Sequence, residues 1–167
     1  KIKYVSGGSS VTIPLLLQHR LPAGINHFRV GETLFFGTDV YNDDVLPSME
    51  HHIFTLQASI IEMHEKPTTP TGKMGTTVEG KRKESSKGTL FFSHRAIIDL
   101  GILDVDEDHI QPLVEHFEVV GGSSDMYVID LGANKSGFKV GDSITFKLDY
   151  MGALRLLNSK YVKKKLI

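Results

Sequence analysis

The sequence predicts a mainly β protein, in which a small antiparallel β-barrel or sandwich follows a short α/β region. Two observations lead to this prediction. Up to Gly37, short apolar segments alternate with glycine- and serine-containing loops and with runs that suit helices. Beyond Gly37, segments of alternating apolar and polar residues recur between glycine and proline turn signals, as in half-buried strands. We therefore expect one domain over residues 1–37 and a β domain over residues 38–167.

The first 37 residues predict two units in which a short strand leads through a loop into a helix. Pro14 stands in the opening turn of the first helix, where proline is well tolerated. Gly37 stops the second helix. In chain order the predicted segments are strand Ile2–Val5, loop Ser6–Ser10, helix Thr12–His19, strand Ile25–Arg29 and helix Glu32–Phe36.

Turn signals divide the β domain into strands at intervals that suit a small antiparallel barrel. After the first strand, Lys73–Gly88 is rich in glycine, lysine and serine, and it predicts a long exposed loop with the basic cluster Lys81–Lys83. Gly152–Leu157 predicts one helical turn near the end of the chain. The predicted strands are Phe54–His64, Thr89–Phe92, Arg95–Leu100, Glu118–Val120, Met126–Leu131 and Ser143–Leu148.

Composition excludes several kinds of function. Lysine and arginine number 19 against 20 aspartates and glutamates, so no global field favours nucleic acid or an anionic membrane. The chain has no cysteine, which rules out a disulfide framework, a thiolate metal site and a cysteine nucleophile. No apolar run approaches the ~20 residues of a membrane span, and the start at Lys1 shows no signal peptide. We expect a cytoplasmic protein of which this chain is a piece.

Two loops carry the residue types of an anion site. Ser6–Ser10 is one, and the stretch Asn26–Gly37, which sets Arg29 and Gly31 among apolar residues, is the other. Small residues let several backbone N–H groups converge on a phosphate, and a hydroxyl adds a further donor. The two loops can therefore share one ligand. The alternative is that both are ordinary turns.

Two groups of residues have partial metal-site patterns. His51–His52 has no carboxylate partner at a useful spacing. A second group matches positions one, three, five and twelve of a calcium loop, but position six is His109 instead of glycine, and Pro112 interrupts the second half. The expectation is that no metal binds. The four carboxylates of that second group are Asp104, Asp106, Asp108 and Glu115.

Several segments match one known family in order and spacing. Ser6–Ser10 and Leu21–Glu32 are two of them, and the others lie in the predicted β domain. The latter are Phe54–Ala58 with Ile60–Glu62, Arg95–Ile98, Asp104–Asp106, Gly121–Asp125 and Val140–Asp142. Together they resemble the C-terminal part of the alanine/ornithine racemase family of pyridoxal-phosphate enzymes, and the resemblance covers nearly the whole chain.

The resemblance implies that residues 1–37 are the last two β/α units of a TIM-type barrel, and so an incomplete domain. In the family, the lysine that holds the cofactor as a Schiff base sits on the first barrel strand. That catalytic lysine is therefore expected upstream of Lys1 and absent from this chain. The chain on its own is accordingly expected to be inactive.

The resemblance also implies pyridoxal 5'-phosphate as the cofactor. Ser9, Ser10, Val30 and Gly31 match positions whose hydroxyl and backbone N–H groups bind its phosphate. Arg29 matches the arginine that faces the pyridine nitrogen. Because a guanidinium only donates and stays charged, that nitrogen must accept and remain unprotonated. The weaker electron sink suits a reaction that returns a proton to the same carbon and avoids transamination.

The β domain departs from alanine racemase at one point. There, a tyrosine from the partner subunit's C-terminal domain acts as one of two bases, whereas the matching segment Leu100–Asp104 has no tyrosine. This resembles the ornithine-racemase branch more. Asp104 is then a candidate for recognising a distal amino group or for proton transfer, or else it is a surface carboxylate. Ser123, Ser124 and Asp125 match the segment that approaches the substrate carboxylate.

The resulting prediction is the C-terminal part of a pyridoxal-phosphate-dependent racemase that interconverts L- and D-amino acids. The full-length protein is expected to be a homodimer with an amino acid as its substrate. One alternative is a non-catalytic β-barrel interaction module whose glycine and serine loops are turns. A further alternative is a calcium-binding domain.

Overall fold

The computed structural model describes residues 1–69, 75–76 and 91–166. The chain divides into two compact units, Lys1–Ile53 and Phe54–Ile167. The sequence predicts that the β domain starts at residue 38, whereas the second unit starts at Phe54. The domain assignment of residues 38–53 stays a prediction. Most of the predicted loop Lys73–Gly88, with its basic cluster, lies outside the described residues.

The first unit contains two short helices and a small antiparallel pair of strands. Helix α1 spans Ile13–Leu17 and helix α2 spans Glu32–Phe36. Strands β1 (Thr38–Asp39) and β2 (Asp44–Val45) pair antiparallel. Gly37 ends α2 in the left-handed conformation, with a φ of 63°. Glycine adopts this conformation without a steric cost, so the predicted helix end is confirmed.

The two predicted strands of this unit are not formed. The segment Ile2–Val5 runs beside Ile25–Arg29. Regular pairing is limited to one isolated parallel bridge, which joins Ser6, just after the first segment, to His27. Backbone hydrogen bonds of 3.0 to 3.2 Å flank this bridge. A pair of short strands is marginal without further neighbours in a sheet, which explains why the prediction of full strands was wrong.

In the described residues of the second unit, six strands form a single sheet. They are β3 Thr55–Pro67, β4 Phe92–Ile98, β5 Ile110–Pro112, β6 Glu118–Gly122, β7 Tyr127–Asp130 and β8 Ser143–Leu148, followed by helix α3 Tyr150–Asn158. All neighbours pair antiparallel in the order β5-β8-β3-β4-β7-β6. The outer strands β5 and β6 contact each other, so the sheet nearly closes. The predicted mainly β class with a small antiparallel barrel is confirmed.

Buried and more exposed residues alternate along the first part of β3, and the buried ones belong to the barrel core. Leu56, Ala58 and Ile60 are buried, as a period of two predicts. A β-bulge then shifts the register between Ile60 and Glu62, so that Met63 packs against the core in place of Glu62. The core of this unit also includes the fully buried side chains Ile98, Tyr127, Ile129, Leu131, Ile144 and Phe146.

Two elements of the second unit differ from the prediction. In the described residues, the predicted strands Thr89–Phe92 and Arg95–Leu100 correspond to one strand, β4, because Ser93 and His94 continue the ladder with β3. Helix α3 is longer than the expected single turn. Its start is fixed by Asp149, whose side chain accepts a hydrogen bond from the Gly152 N–H at 2.7 Å.

Candidate functional site

The two glycine- and serine-containing loops of the first unit meet at Ser10. The Ser10 hydroxyl oxygen accepts hydrogen bonds from the backbone N–H groups of Gly31, at 3.3 Å, and Thr33, at 3.4 Å. Thr33 is buried, and its own hydroxyl donates to the Ser10 carbonyl at 3.5 Å. Residues about twenty positions apart in the sequence therefore form one small polar cluster at the start of α2.

Two glycines allow this close approach. A Cβ atom on Gly7 would lie 2.2 Å from Cδ1 of Ile25, and one on Gly8 would lie 2.0 Å from Cε1 of Phe28. A side chain at either position would therefore force the side chain of Ile25 or Phe28 to move. The Gly8 carbonyl accepts a hydrogen bond from the Arg29 N–H at 3.0 Å.

The remaining predicted cofactor residues lie in the same two loops. Ser9 is exposed, and its N–H donates to the Thr12 hydroxyl at 2.9 Å. Val30 is half-buried and Arg29 is exposed. The Arg29 guanidinium makes no hydrogen bond or ion pair within the described ranges. A hydroxyl, backbone N–H groups and a guanidinium without a partner among the described residues are the types of donor that bind a phosphate or an accepting ring nitrogen.

The second unit has a cleft of about 690 Å³. Two of the predicted site residues, Asp104 and Asp125, line it, whereas Ser123 and Ser124 do not. Ser123 instead exchanges hydrogen bonds with Met126 within a turn. The full lining is Ile102, Leu103, Asp104, Asp125, Arg155, Asn158, Ser159, Lys160 and Tyr161.

Backbone contacts bring the two carboxylates to one cleft. The N–H groups of Ile102 and Leu103 donate to the carbonyls of Ser123 and Ser124 at 3.0 and 2.9 Å. Gly101 permits this packing, because a Cβ there would lie 2.4 Å from the Ser124 carbonyl oxygen. The segment that carries Asp104 is thus held against the turn that carries Asp125.

The cations of the cleft come from the C-terminal end of α3, and sequence reasoning missed them. Arg155 forms an ion pair with Asp106, and Lys160 follows two residues after the end of the helix. A second pair, His109 Nδ1 to Asp149 Oδ2 at 2.7 Å, ties the start of α3 to the same turn. No local pattern marks these pairs, because each joins residues more than thirty positions apart.

Tyr127 supports the segment behind the cleft. Its buried hydroxyl donates to the Val105 carbonyl at 2.6 Å. Burial raises the pKa of this phenol far above its ordinary value, and the nearby carboxylates Glu107 and Asp106 add to the effect. The hydroxyl therefore stays protonated and keeps donating over the whole physiological pH range.

Tyr127→Phe should lower the free energy of unfolding at pH 7 by about 1–2 kcal/mol, because the Val105 carbonyl loses its donor. The raised pKa means that the folded state holds the phenolic proton more tightly than the unfolded state. The corresponding stability is present below the unfolded pKa of about 10 and is lost as the pH rises above it. Denaturant titrations at pH 7 and 11 should show a smaller alkaline loss in the variant. The 92 % exposed Tyr161 offers the control Tyr161→Phe, and equal losses in both variants would refute the role.

The metal alternatives gain no support from the geometry. Among the residues that the structure describes, no three histidine, aspartate or glutamate side chains converge as metal ligands. Glu107–His109 form a 3₁₀ turn, and Asp106 pairs with Arg155. His51 instead contacts the Phe36 carbonyl at 3.4 Å. In the described chain no helix is both long and apolar enough to cross a membrane.

Comparison with known proteins gives two curated relatives and several matching chains among the solved structures. Ornithine racemase of Acetoanaerobium sticklandii is 34 % identical over 100 % of this chain and 47 % of its own length. Lysine racemase of Thermotoga maritima is 34 % identical over 98 % of this chain and 45 % of its own length. The chain thus spans about half the length of these relatives.

One of the similar solved structures is alanine racemase from Acinetobacter baumannii, with a TM-score of 0.55 and 18 % identity. The match covers 86 % of this chain and 37 % of that structure, and it supports the fold. No protein-family model matches the sequence.

Proposed function

Because the chain belongs to the alanine/ornithine racemase family and matches its C-terminal part, we propose that it forms that part of a pyridoxal-phosphate-dependent amino-acid racemase. The observation that carries the proposal is the meeting of two loops at Ser10 and Gly31, with an N–H to hydroxyl distance of 3.3 Å. The relatives are an ornithine racemase and a lysine racemase, which supports an amino acid with a basic side chain as the substrate.

The polar cluster around Ser10 would bind the cofactor phosphate. Its hydroxyl accepts from two backbone N–H groups, at distances longer than the usual 2.9–3.0 Å of such bonds. These bonds orient the hydroxyl and leave its proton for a phosphate oxygen. Ser9, Val30 and Gly31 would complete the phosphate site with their hydroxyl or N–H groups, and Thr33, whose N–H and hydroxyl both donate to Ser10, would hold that residue in place.

Arg29 would hold the ring of the cofactor at its nitrogen. Bound pyridoxal phosphate supplies the electron sink that makes the α-proton of an amino acid removable. The guanidinium has donors only, so it orients the ring nitrogen without giving it a proton. This arrangement favours return of the proton to the α-carbon, which gives racemisation, over the competing transamination.

Arg29→Glu in the intact protein should therefore raise transamination relative to racemisation. A carboxylate at this position stabilises a proton on the ring nitrogen and strengthens the electron sink. The measurement is the amount of keto acid formed per racemisation event, determined by chromatography. Arg20→Glu, an exposed arginine after α1, is the control. An unchanged ratio in Arg29→Glu would remove Arg29 from the site.

The cleft of the second unit would receive the substrate, with Asp104 and Asp125 as its acidic residues. Leu103 and Tyr161, in its lining, are 79 % and 92 % exposed. Such exposed apolar surface beside a cleft is typical of an interface. We propose that the full-length protein is a homodimer in which this cleft faces the cofactor of the partner subunit. The cytoplasmic location stays a prediction.

The chain taken alone should not racemise amino acids. All of its described lysines are exposed except the half-buried Lys147, whereas a lysine that forms a Schiff base is activated by desolvation in an apolar pocket or by a neighbouring cation. After incubation with pyridoxal phosphate, borohydride should fix label on scattered lysines without activity. One stoichiometrically labelled lysine together with racemisation would contradict this.

The experiment that tests the proposed function is chiral analysis of ornithine, lysine and alanine after incubation with the intact protein and pyridoxal phosphate. Accumulation of the D-enantiomer from the L-enantiomer of ornithine or lysine is expected. A protein that binds the cofactor but leaves all three amino acids unchanged would contradict the proposal.

A further inference from the structure

We propose that Asn26 is a positioning residue for the cofactor phosphate: its side-chain amide fixes the register of the two segments that lead to Ser10 and to Gly31. The inference rests on the proposed function and deepens it, because it names the residue that holds the phosphate-binding cluster in place. Asn26 would act through Ser10 and Gly31 and not by contact with the phosphate.

The backbone pairing of these two segments stops beside its isolated bridge. In a regular parallel ladder the next rung would be formed by Ile25, with its N–H bonded to the Lys3 carbonyl and its carbonyl to the Val5 N–H. The Ile25 N–H instead donates to the Pro22 carbonyl at 3.4 Å. The Lys3 carbonyl and the Val5 N–H are therefore left to another partner.

The side chain of Asn26 supplies the missing rung. Its Oδ1 accepts the Val5 N–H at 2.8 Å, and its Nδ2 donates to the Lys3 carbonyl at 3.2 Å. The Asn26 backbone N–H also donates to the Val5 carbonyl at 3.1 Å. An amide presents one acceptor and one donor side by side, whereas an ionised carboxylate presents acceptors only. The residue type thus matches the two backbone groups that the ladder leaves without a partner.

The register that Asn26 fixes decides whether Ser10 meets Gly31. Between Asn26 and the cluster, two backbone hydrogen bonds of 3.2 and 3.0 Å join the segments, and each uses a glycine of the loop, Gly7 or Gly8. Glycine-rich segments specify their register weakly. A slip of one residue displaces a segment by about 3.3 Å. Such a slip would break the contact between the Ser10 hydroxyl and the Gly31 N–H.

The test compares two ligands of the intact protein: pyridoxal 5'-phosphate, and pyridoxal, which lacks the phosphate. In Asn26→Ala the affinity for pyridoxal phosphate should fall about tenfold, because the loss of two hydrogen bonds loosens the phosphate-binding cluster. The affinity for pyridoxal should stay that of the wild type. Gln18→Ala, the matched control, removes an exposed amide of the same unit that accepts from Arg20 at 3.3 Å, and it should change neither affinity. Equilibrium dialysis measures both ligands.

Amide hydrogen exchange in the wild-type protein gives a second readout that needs no substitution. Because coupling between two binding events is reciprocal, the bound phosphate should strengthen the hydrogen bond between Asn26 and the Val5 N–H. That N–H should therefore exchange more slowly with pyridoxal phosphate bound than with pyridoxal bound. If Asn26→Ala does not fold, this comparison decides alone, and equal exchange with the two ligands would contradict the role of Asn26.

The outcomes separate the inference from the proposed function. An equal fall in affinity for both ligands in Asn26→Ala, or an unchanged affinity for pyridoxal phosphate, would overturn the inference and leave the racemase proposal intact. A wild-type protein that binds pyridoxal phosphate no more tightly than pyridoxal would overturn the proposed phosphate site and the inference with it.

Discussion

Gly101→Ala is expected to lower the free energy of unfolding by about 3 kcal/mol, the upper end of the usual cost of overpacking a buried site. Gly101 is buried, and a Cβ on it would lie 2.4 Å from the backbone carbon of Asp125 and 2.5 Å from the Met126 nitrogen. Backbone atoms cannot swing aside as a side chain can. The turn that carries Asp125 must move, and we expect the cleft to lose its shape.

The matched control for this prediction is Gly121→Ala. Gly121 has no atom within 4 Å of an added Cβ, and its backbone is not left-handed. This variant should stay within about 0.5 kcal/mol of the wild type, as substitutions away from close contacts usually do. Urea denaturation of the two variants measures the difference. Equal stability of both would show that residues 101–104 do not pack against the turn as described.

Ser10→Ala should weaken the binding of pyridoxal phosphate to the intact protein about a hundredfold. A hydrogen bond to a charged group contributes about 1.5–3 kcal/mol, and 1.4 kcal/mol corresponds to a tenfold change in affinity. The substitution removes the donor to the phosphate. It also removes the acceptor that orients the N–H groups of Gly31 and Thr33. Equilibrium dialysis with pyridoxal phosphate measures the affinity.

Ser6→Ala is the control for the Ser10 prediction. Ser6 belongs to the same loop and is exposed, and its side chain makes no hydrogen bond within the described residues. The affinity of this variant should match that of the wild type. If Ser10→Ala and Ser6→Ala both bind the cofactor normally, the cluster around Ser10 does not hold its phosphate.

The features that sequence reasoning predicts correctly are those set by neighbours along the chain. The end of α2 depends on the conformational freedom of Gly37, and the inward face of β3 depends on a period of two over Leu56, Ala58 and Ile60. The meeting of Ser10 with Gly31 also agrees with the expectation that the two loops share one ligand. Their role as a phosphate site stays a prediction.

The features that it misses depend on residues distant in sequence. The pair of Asp106 with Arg155 exists because the 3₁₀ turn and α3 pack together, which no local pattern shows. The same packing places Arg155 and Lys160 beside Asp104 in the cleft. Conversely, Ile2–Val5 has a suitable composition for a strand, but strand formation requires a sheet that the described residues do not provide around it.

The most direct test of the racemase assignment is exchange of the α-proton of ornithine in deuterium oxide. We predict that the intact protein with pyridoxal phosphate incorporates deuterium at the α-carbon of L-ornithine while D-ornithine accumulates toward an equal mixture. Proton NMR follows the loss of the α-signal, and chiral chromatography follows the enantiomers. Absence of both exchange and inversion, with the cofactor shown to be bound, would contradict the assignment.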